Sequence, residues 1–170
     1  MDKDECRMKE QRHLPIIGVG PIIVIPQILL TVVGIFISCL GCIDFASVQI
    51  LKYPFLILGI LLIFGGVYLW FSANYKAKVL DGIVENRLIT KGVYSIVRNP
   101  VYSAFFMVCV GMLLIANNLL LLVIPVLCWI YMTLLLINTE EKWLRALYAQ
   151  EYEAYCKKVN RCIPWFPKRK

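Results

Sequence analysis

Four long apolar runs leave this chain few folds to adopt. They cover residues 14–40, 54–71, 101–116 and 119–137, and hydrophobic residues make up 60% of the 170. Soluble domains are roughly 45–50% apolar, and a helix of roughly 20 residues crosses a hydrocarbon core of about 30 Å. Because lipid cannot hydrogen-bond an open backbone, each run is predicted to be a helix. We therefore expect an all-α polytopic membrane protein with four transmembrane helices, of which the short third is tilted or ends inside the bilayer.

Basic residues are distributed unevenly over the segments between these runs. If the chain crosses four times, Lys52 faces one side and the other 17 of the 18 Lys and Arg residues face the opposite side. Cytoplasmic segments of membrane proteins carry such an excess of basic residues. Both termini and the middle loop are therefore predicted to be cytoplasmic. The net charge of +7 is explained by this topology and by anionic lipid headgroups, and it does not indicate nucleic-acid binding.

The chain is predicted to be one membrane domain, residues 1–170, with two functional halves. Residues 14–75 form a two-helix scaffold, and residues 76–170 hold a long loop, a helical hairpin around Asn117–Asn118 and an amphipathic C-terminal helix. Prolines and glycines give the scaffold its expected geometry. Two prolines should kink the first helix and three glycines should let the second pack closely, namely Pro21, Pro26, Gly59, Gly65 and Gly66.

The C-terminal helix is predicted from its start signal and from its apolar spacing. Asn138 or Thr139 can cap it, and Glu140 and Glu141 fall in its first turn, where carboxylates favour the positive helix end. Apolar and aromatic residues recur at three- and four-residue steps, at positions Leu144, Leu147, Tyr148, Tyr152, Tyr155 and Val159. Such a helix packs along the membrane surface or back onto the hairpin.

Cysteine and histidine give little support for redox or metal chemistry. The seven cysteines are scattered, and only Cys39 and Cys42 form a C-x-x-C, at the expected outer end of the first span. Small apolar helix residues are the preferred interpretation of that pair, and a redox pair is the alternative. With His13 the only histidine, no metal site is predicted.

Two polar clusters flank the hairpin at its cytoplasmic mouth. One is 90–102, "TKGVYSIVRNPVY", in which Gly92 lets the loop turn and Pro100 begins the third helix. The other is the Glu140–Glu141 pair. Antiparallel helices bring these ends together, so Arg98, Asn99 and Tyr102 are expected near both glutamates. Ionisable residues at such a depth indicate a functional site, or else an ion pair between Arg98 and a glutamate that braces the hairpin.

The spacing of these clusters resembles that of a known family. A T-x-G-x-Y-x-x-x-R-[HN]-P-x-Y block followed about forty residues later by a Glu-Glu pair, an E-Y-x-x-Y segment and a late proline resembles the isoprenylcysteine carboxyl methyltransferase and phospholipid methyltransferase superfamily. The resemblance covers about residues 86–166 and carries fourteen matching positions, which are Thr90, Gly92, Tyr94, Arg98, Asn99, Pro100, Tyr102, Glu140, Glu141, Glu151, Tyr152, Tyr155, Arg161 and Pro164.

The resemblance implies S-adenosylmethionine as methyl donor, bound in a pocket that faces the cytoplasm. It implies that Leu88 and Ile89 contact the adenosine and that Glu140 binds the donor. The donor would be walled by Tyr94, Asn99, Pro100 and Tyr102. Arg98, Asn99 and Glu141 are the candidate catalytic residues, although an asparagine in place of the histidine of eukaryotic prenylcysteine enzymes cannot titrate near neutral pH.

Residue types support that expectation independently of the resemblance. A sulfonium and an ammonium need acidic and aromatic groups, a carboxylate needs a cation, and adenine needs an apolar slot. Glutamates, Arg98, the tyrosines and Leu88–Ile89 supply these groups. Methyl transfer is an in-line displacement, so orientation and desolvation should dominate catalysis. A doubly wound nucleotide-binding sheet is excluded, because no G-x-G-x-x-G occurs.

The acceptor is less constrained than the donor. An amphiphile entering from lipid is expected: a phospholipid amine, an isoprenoid-type molecule or a prenylcysteine-like substrate. Prenylcysteine enzymes of the family place an arginine about one turn before the glutamate, where this chain has leucines at 134–136. A prenylcysteine carboxylate is therefore disfavoured. An amine acceptor must lose a proton, for which Glu141 is the candidate base.

Two other functions compete with methyl transfer. One is a sterol-reductase-like membrane enzyme, whose NADPH phosphates could contact Lys76, Lys78, Arg87 and Lys91. The other is a membrane scaffold without catalytic activity. Both motif clusters at family spacing favour the methyltransferase. The host membrane, bacterial inner membrane or endoplasmic reticulum, and the oligomeric state are left open.

Overall fold

The computed structural model describes residues 19–76 and 88–164, and these residues form helices and connecting turns. The described residues contain five α-helices: α1 Gly20–Cys39, α2 Lys52–Phe71, α3 Pro100–Ile115, α4 Val123–Asn138 and α5 Glu140–Lys158. Within the described residues, extended pairing is limited to two isolated bridges, Ser47 with Asn118 and Val97 with Asn160. The prediction of an all-α fold is confirmed.

Three of the helical segments are long and apolar enough to cross a membrane. They are Gly20–Cys39, Gln49–Tyr75 and Leu119–Asn138. The helix α3 is apolar but has 16 residues, which at 1.5 Å per residue is about 24 Å. It is therefore shorter than the hydrocarbon core, as its run in the sequence indicates, and the fourth crossing stays a prediction.

Glycines bring α2 and α3 into close contact. A Cβ atom built on Gly59 would lie 2.6 Å from the carbonyl oxygen of Gly111, and one on Gly66 would lie 2.8 Å from that of Ala104. No larger residue fits such distances without moving the backbones apart. The close packing predicted for the second helix is confirmed, and its partner is α3, which carries the start of the candidate site.

The two prolines of α1 have different roles. Pro21 lies in the first turn, where its missing N–H breaks no helical bond, so the predicted kink at this position is wrong. Pro26 lies inside α1 and removes the donor for the carbonyl of Ile22. The hydroxyl of Tyr131 on α4 donates to that carbonyl over 3.1 Å. A neighbouring helix thus satisfies the freed carbonyl, as membrane burial requires.

The chain turns sharply between α4 and α5. The side chains of Asn138 and Thr139 donate back to the carbonyls of Leu134 and Leu135 at the end of α4. Neither side chain therefore caps α5, which corrects the predicted cap. Backbone amides of the first α5 turn donate to the Thr139 carbonyl instead. Farther along, α5 bends at Ala149, whose φ of 39° is unusual for a residue with a Cβ atom.

Candidate active site

The carboxylate of Glu140 joins three separate parts of the chain. Tyr102, in the first turns of α3, donates its hydroxyl hydrogen to Glu140 Oε1 over 2.5 Å. The backbone N–H of Val19, at the start of α1, donates to the same oxygen over 3.3 Å. Glu140 itself begins α5. The positive ends of two helices, α1 and α5, therefore meet at one carboxylate.

Burial changes the acidity of this group. Partial burial raises the pKa of Glu140 above its ordinary value, and the hydrogen bonds from Tyr102 and Val19 offset part of that rise. The phenol of Tyr94 is close enough to be affected: burial and then the Glu140 charge raise its pKa well above the ordinary value. Tyr94, Tyr102 and Glu140 thus lie close together; the sequence predicts the proximity of Tyr102 to Glu140, and the structure adds Tyr94.

Glu141 has a different environment from its neighbour. Its side chain is 1% exposed, and Arg161 donates to both of its oxygens over 2.5 and 3.1 Å. Arg98 lies 3.2 Å from Glu141 Oε1, and the more exposed Arg145 lies 3.8 Å from Oε2. Three arginines therefore surround one buried carboxylate. The bracing ion pair that the sequence allowed is present between Arg98 and Glu141.

The guanidinium of Arg98 is held on several sides. Its side chain is 7% exposed, and its Nη1 donates to the Tyr152 hydroxyl over 3.3 Å and to Cys156 Sγ. The Tyr152 ring centroid lies 5.8 Å from Arg98 Cζ, within the range of a cation–π contact. Among the residues that the structure describes, its buried Nε has no hydrogen-bond partner. One donor of a well-fixed cation is thus unused.

The residues that follow α5, 159–162, form a short strap. This strap holds residues 98–100, the R-N-P segment, in place. The backbone amides of Arg98 and Asn99 donate to the carbonyls of Asn160 and Arg161 over 2.8 and 3.1 Å. The side-chain amide of Asn99 donates to the Arg161 carbonyl as well, over 3.1 Å. Ser103, one turn into α3, donates to the Cys162 carbonyl. The donor group of Asn99 is therefore engaged by the backbone in this structure.

The predicted adenosine contacts lie beside the aromatic residues of α5. Leu88 packs against a buried cluster of Tyr152, Tyr155 and Val159, and Ile89 next to it is half-buried. The Tyr155 hydroxyl donates to the Tyr94 carbonyl over 2.5 Å. The apolar face of α5 thus covers the 88–98 loop, a contact that the sequence does not predict; Leu147, assigned to the same face, is exposed.

The remaining predicted residues are easily placed. Pro100 is buried at the start of α3, and Gly92 has a φ of +65°, so the predicted helix start and loop turn are confirmed. The contact of Pro100 with the donor stays a prediction. Of the cations considered for NADPH, Lys78 and Arg87 lie outside the described residues. Lys91 is exposed, and Lys76 ends the π-helical turn that follows α2.

Sequence reasoning missed two contributors to this site. The Val19 N–H reaches Glu140 from the half of the chain that was predicted to be scaffold. Its contact is made by the backbone, so no residue type signals it. Arg161 belongs to the recognised motif, but the sequence assigns it no partner. Its bidentate contact with Glu141 depends on the strap returning to residues 97–99, and local pattern does not specify that return.

The arrangement provides acidic, aromatic, basic and apolar groups around the first turns of α3 and α5. Three guanidinium groups lie against the Glu141 carboxylate, while the Glu140 carboxylate accepts from Tyr102 and lies near Tyr94. A zwitterionic ligand with a cationic centre and an anionic end matches this distribution.

Comparison with known proteins agrees with the motif. The phospholipid methyltransferase family profile matches residues 54–151, more than half of the chain. That match begins in α2, earlier than the resemblance at 86–166 indicates. The second helix is thus part of the shared unit, in keeping with its close contact with α3.

Individual relatives carry a methyltransferase name. Protein-S-isoprenylcysteine O-methyltransferase of Schizosaccharomyces pombe is 34% identical over 84 residues, which cover 49% of this chain and 35% of that protein. A probable protein-S-isoprenylcysteine O-methyltransferase of Oryza sativa subsp. indica is 34% identical over 82 residues, 48% of this chain and 42% of its own length. The chain thus spans less than half the length of these relatives. No solved structure matches.

Proposed function

We propose a function from one premise: the chain belongs to the phospholipid methyltransferase family. It transfers a methyl group from S-adenosylmethionine to a lipophilic or amphiphilic acceptor at the cytoplasmic face of a membrane. The basic residues, all but Lys52 on one side of four crossings, support that orientation and cytoplasmic termini. Bacterial inner membrane and endoplasmic reticulum both fit this topology.

The convergence on Glu140 is the observation that carries the proposal. A carboxylate that accepts from a tyrosine and from a helix N-terminus, next to a second tyrosine, is suited to a cationic ligand. A sulfonium or ammonium brought close would stabilise the ionised form of this partly buried acid. The unused Nε of Arg98 and the excess positive charge around Glu141 suit the ligand's carboxylate. The residues present therefore fit S-adenosylmethionine.

The chain's own groups supply orientation and exclusion of water. When bound, S-adenosylmethionine supplies an electrophilic methyl group on a sulfonium. We assign to Glu140, Tyr94 and Tyr102 the binding of its cationic part, and to Leu88 and Ile89 an apolar slot for adenine. Asn99 and Pro100 form the wall where α3 begins. Fixing the donor against an acceptor that arrives from lipid lowers the entropic barrier of an in-line displacement.

The proton balance assigns different roles to the two glutamates. A carboxylate acceptor becomes an ester without losing a proton, whereas an amine acceptor must release one. Glu141 remains the proposed base for an amine, but its oxygens are engaged by Arg98, Arg145 and Arg161. It can take a proton only after one of these pairs opens. Its first role is therefore to position Arg98.

Two observations bear on the acceptor class. The relatives' names include isoprenylcysteine, and the family name includes phospholipid. In this chain the 134–136 segment is apolar, and Leu136 is fully buried against Val19, Ile23 and Met132. No cation for a prenylcysteine carboxylate is available at that turn. We therefore propose a lipid amine or a small isoprenoid-type acceptor ahead of prenylcysteine.

Transfer of a labelled methyl group tests the activity and the acceptor together. Membranes containing the protein are incubated with S-adenosylmethionine labelled on the methyl group, and label is then counted in lipid and protein extracts. We expect label in the lipid fraction, reduced at least tenfold by Glu140→Gln. Glu153→Gln, which removes an exposed carboxylate of the same helix, is the matched control and should retain activity. The proposal is overturned if membranes with the unmodified protein contain no more label, in the lipid or the protein fraction, than membranes with Glu140→Gln.

A further inference from the structure

A pocket lies at the opposite end of α1 and α3 from Glu140. It has a volume of about 490 Å³ and opens between the C-terminal ends of α1 and α3 and the loop after α1. The residues that line it are Ile35, Ser38, Cys39, Asp44, Ser47, Met112, Ile115, Ala116 and Asn118. This volume is within the range of about 300–1,000 Å³ that small-molecule sites occupy.

The pocket is separate from the candidate methyl-transfer site. Val19 contacts Glu140 at one end of α1, and Cys39 lines the pocket at the other. The twenty residues of α1 place these ends about 30 Å apart. A ligand in the pocket therefore cannot react at Glu140, and the two ends of α1 belong to opposite membrane faces.

Polar groups line one part of the pocket and apolar groups the other. The amide of Asn118 is engaged, because its Nδ2 donates to the Ile43 carbonyl and its Oδ1 accepts from Leu120. Among the described residues, no salt bridge involves Asp44, and no side-chain hydrogen bond involves Ser38 or Ser47. The pocket thus offers one carboxylate and two hydroxyls, beside apolar walls from Ile35, Met112 and Ile115.

We propose that this pocket binds a membrane lipid whose headgroup carries a primary ammonium. The Asp44 carboxylate complements a positive charge, and the serine hydroxyls can accept from its N–H groups. None of the described residues that line the pocket is aromatic. A quaternary ammonium, which has no N–H donor and is recognised by aromatic faces, is therefore disfavoured.

The surroundings indicate a lipid rather than a soluble amine. Large apolar side chains close in sequence to the lining residues are exposed: Phe36 and Leu40 at the end of α1, and Phe45 and Ile50 in the following loop. Residues exposed at the end of a membrane helix lie against acyl chains or the headgroup region. A lipid can place its ammonium at Asp44 and its chains along these residues.

Photo-crosslinking tests this inference on the full chain in nanodiscs. Photoactivatable phosphatidylethanolamine and phosphatidylcholine are incorporated separately at equal mole fraction, and labelled peptides are mapped. We expect phosphatidylethanolamine to label residues 35–47 and 112–118 at least fivefold more than phosphatidylcholine. Asp44→Asn should reduce this labelling to the phosphatidylcholine level. Lys52→Gln, which removes a charge on the same face outside the pocket, should not.

Two further experiments identify the molecule that supplies the ammonium and keep the test valid if Asp44→Asn does not fold. Unlabelled lysophosphatidylethanolamine should compete with labelling of the unmodified protein, whether or not Asp44→Asn folds. Glu140→Gln should leave labelling of the pocket unchanged, so failure of methyl transfer and failure of this inference are distinguishable. Equal labelling by the two lipids, labelling that persists in folded Asp44→Asn, or competition by soluble ethanolamine instead of the lysolipid overturns the inference.

Discussion

Adjacent glutamates at the start of α5 have unlike surroundings. Glu140 accepts hydrogen bonds from Tyr102 and Val19, whereas Glu141 is buried among three arginines. Successive residues of an α-helix point about 100° apart, so neighbours in sequence contact different parts of the fold. The sequence places both glutamates at the helix mouth correctly. It cannot say which of them contacts Arg98, because that depends on the rotation of α5 about its axis.

Removing the charge of Glu140 should stabilise the protein while weakening donor binding. Burial raises the pKa of this carboxyl in the folded state, so ionising it costs more free energy there than in the unfolded chain. Glu140→Gln keeps an oxygen that accepts from Tyr102 and Val19 and removes the ionisation. We expect a higher unfolding temperature than wild type at pH 7 without donor, together with at least tenfold weaker S-adenosylmethionine binding.

The stability difference between Glu140→Gln and wild type should depend on pH, because the pKa of Glu140 is raised in the folded state. Between the ordinary pKa of a glutamate and the raised pKa of Glu140, the folded state binds more protons, so its stability falls as pH rises. The advantage of Glu140→Gln should therefore shrink as pH is lowered towards the ordinary pKa. Thermal unfolding followed by tryptophan fluorescence at several pH values measures it. A variant less stable than wild type at pH 7, with Glu153→Gln unchanged, contradicts the account of Glu140.

At the scale of helices, the sequence predicts the elements better than their contacts. Apolar runs, Pro100 and the Glu140–Glu141 pair locate the helices and two of their starts within a few residues. The side-chain cap of α5 is predicted wrongly, because Asn138 and Thr139 bond to the carbonyls that end α4. Such side chains can serve either helix when two helices follow directly, and pattern alone does not decide between them.

Substitution of Gly59 should separate α2 from α3. Gly59→Ala places a methyl group 2.6 Å from the Gly111 carbonyl oxygen, so the helix backbones must move apart. We expect a loss of about 1–3 kcal/mol in the free energy of unfolding, typical of overpacking. The measurement is denaturant unfolding in detergent micelles.

Gly65→Ala is the matched control for this contact. It adds the same methyl group on the same helix, 3.1 Å from the flexible end of the Met107 side chain. That side chain can move at small cost. Equal losses for Gly59→Ala and Gly65→Ala would show that helix propensity or general crowding, and not the backbone contact, sets the effect.

At the scale of the whole molecule, the site is assembled from segments far apart in the chain. Sequence spacing predicts that Tyr102 and Glu140 meet, because two successive helices return to the same end. It does not predict the contribution of α1 through the Val19 amide, or the strap that bonds Asn160 and Arg161 to the R-N-P segment. Both contacts are made by the backbone and depend on how the whole chain packs. The residue types at these positions therefore do not predict them.

Binding of the methyl donor tests the central claim most directly. Isothermal titration calorimetry on the purified chain in detergent measures the dissociation constants for S-adenosylmethionine and, separately, for NADPH. A site built from Glu140, Tyr102 and Arg98 predicts saturable S-adenosylmethionine binding with one site per chain, weakened at least tenfold by Glu140→Ala and also weakened by Tyr102→Ala, and no NADPH signal. Tight NADPH binding without an S-adenosylmethionine signal would contradict the account.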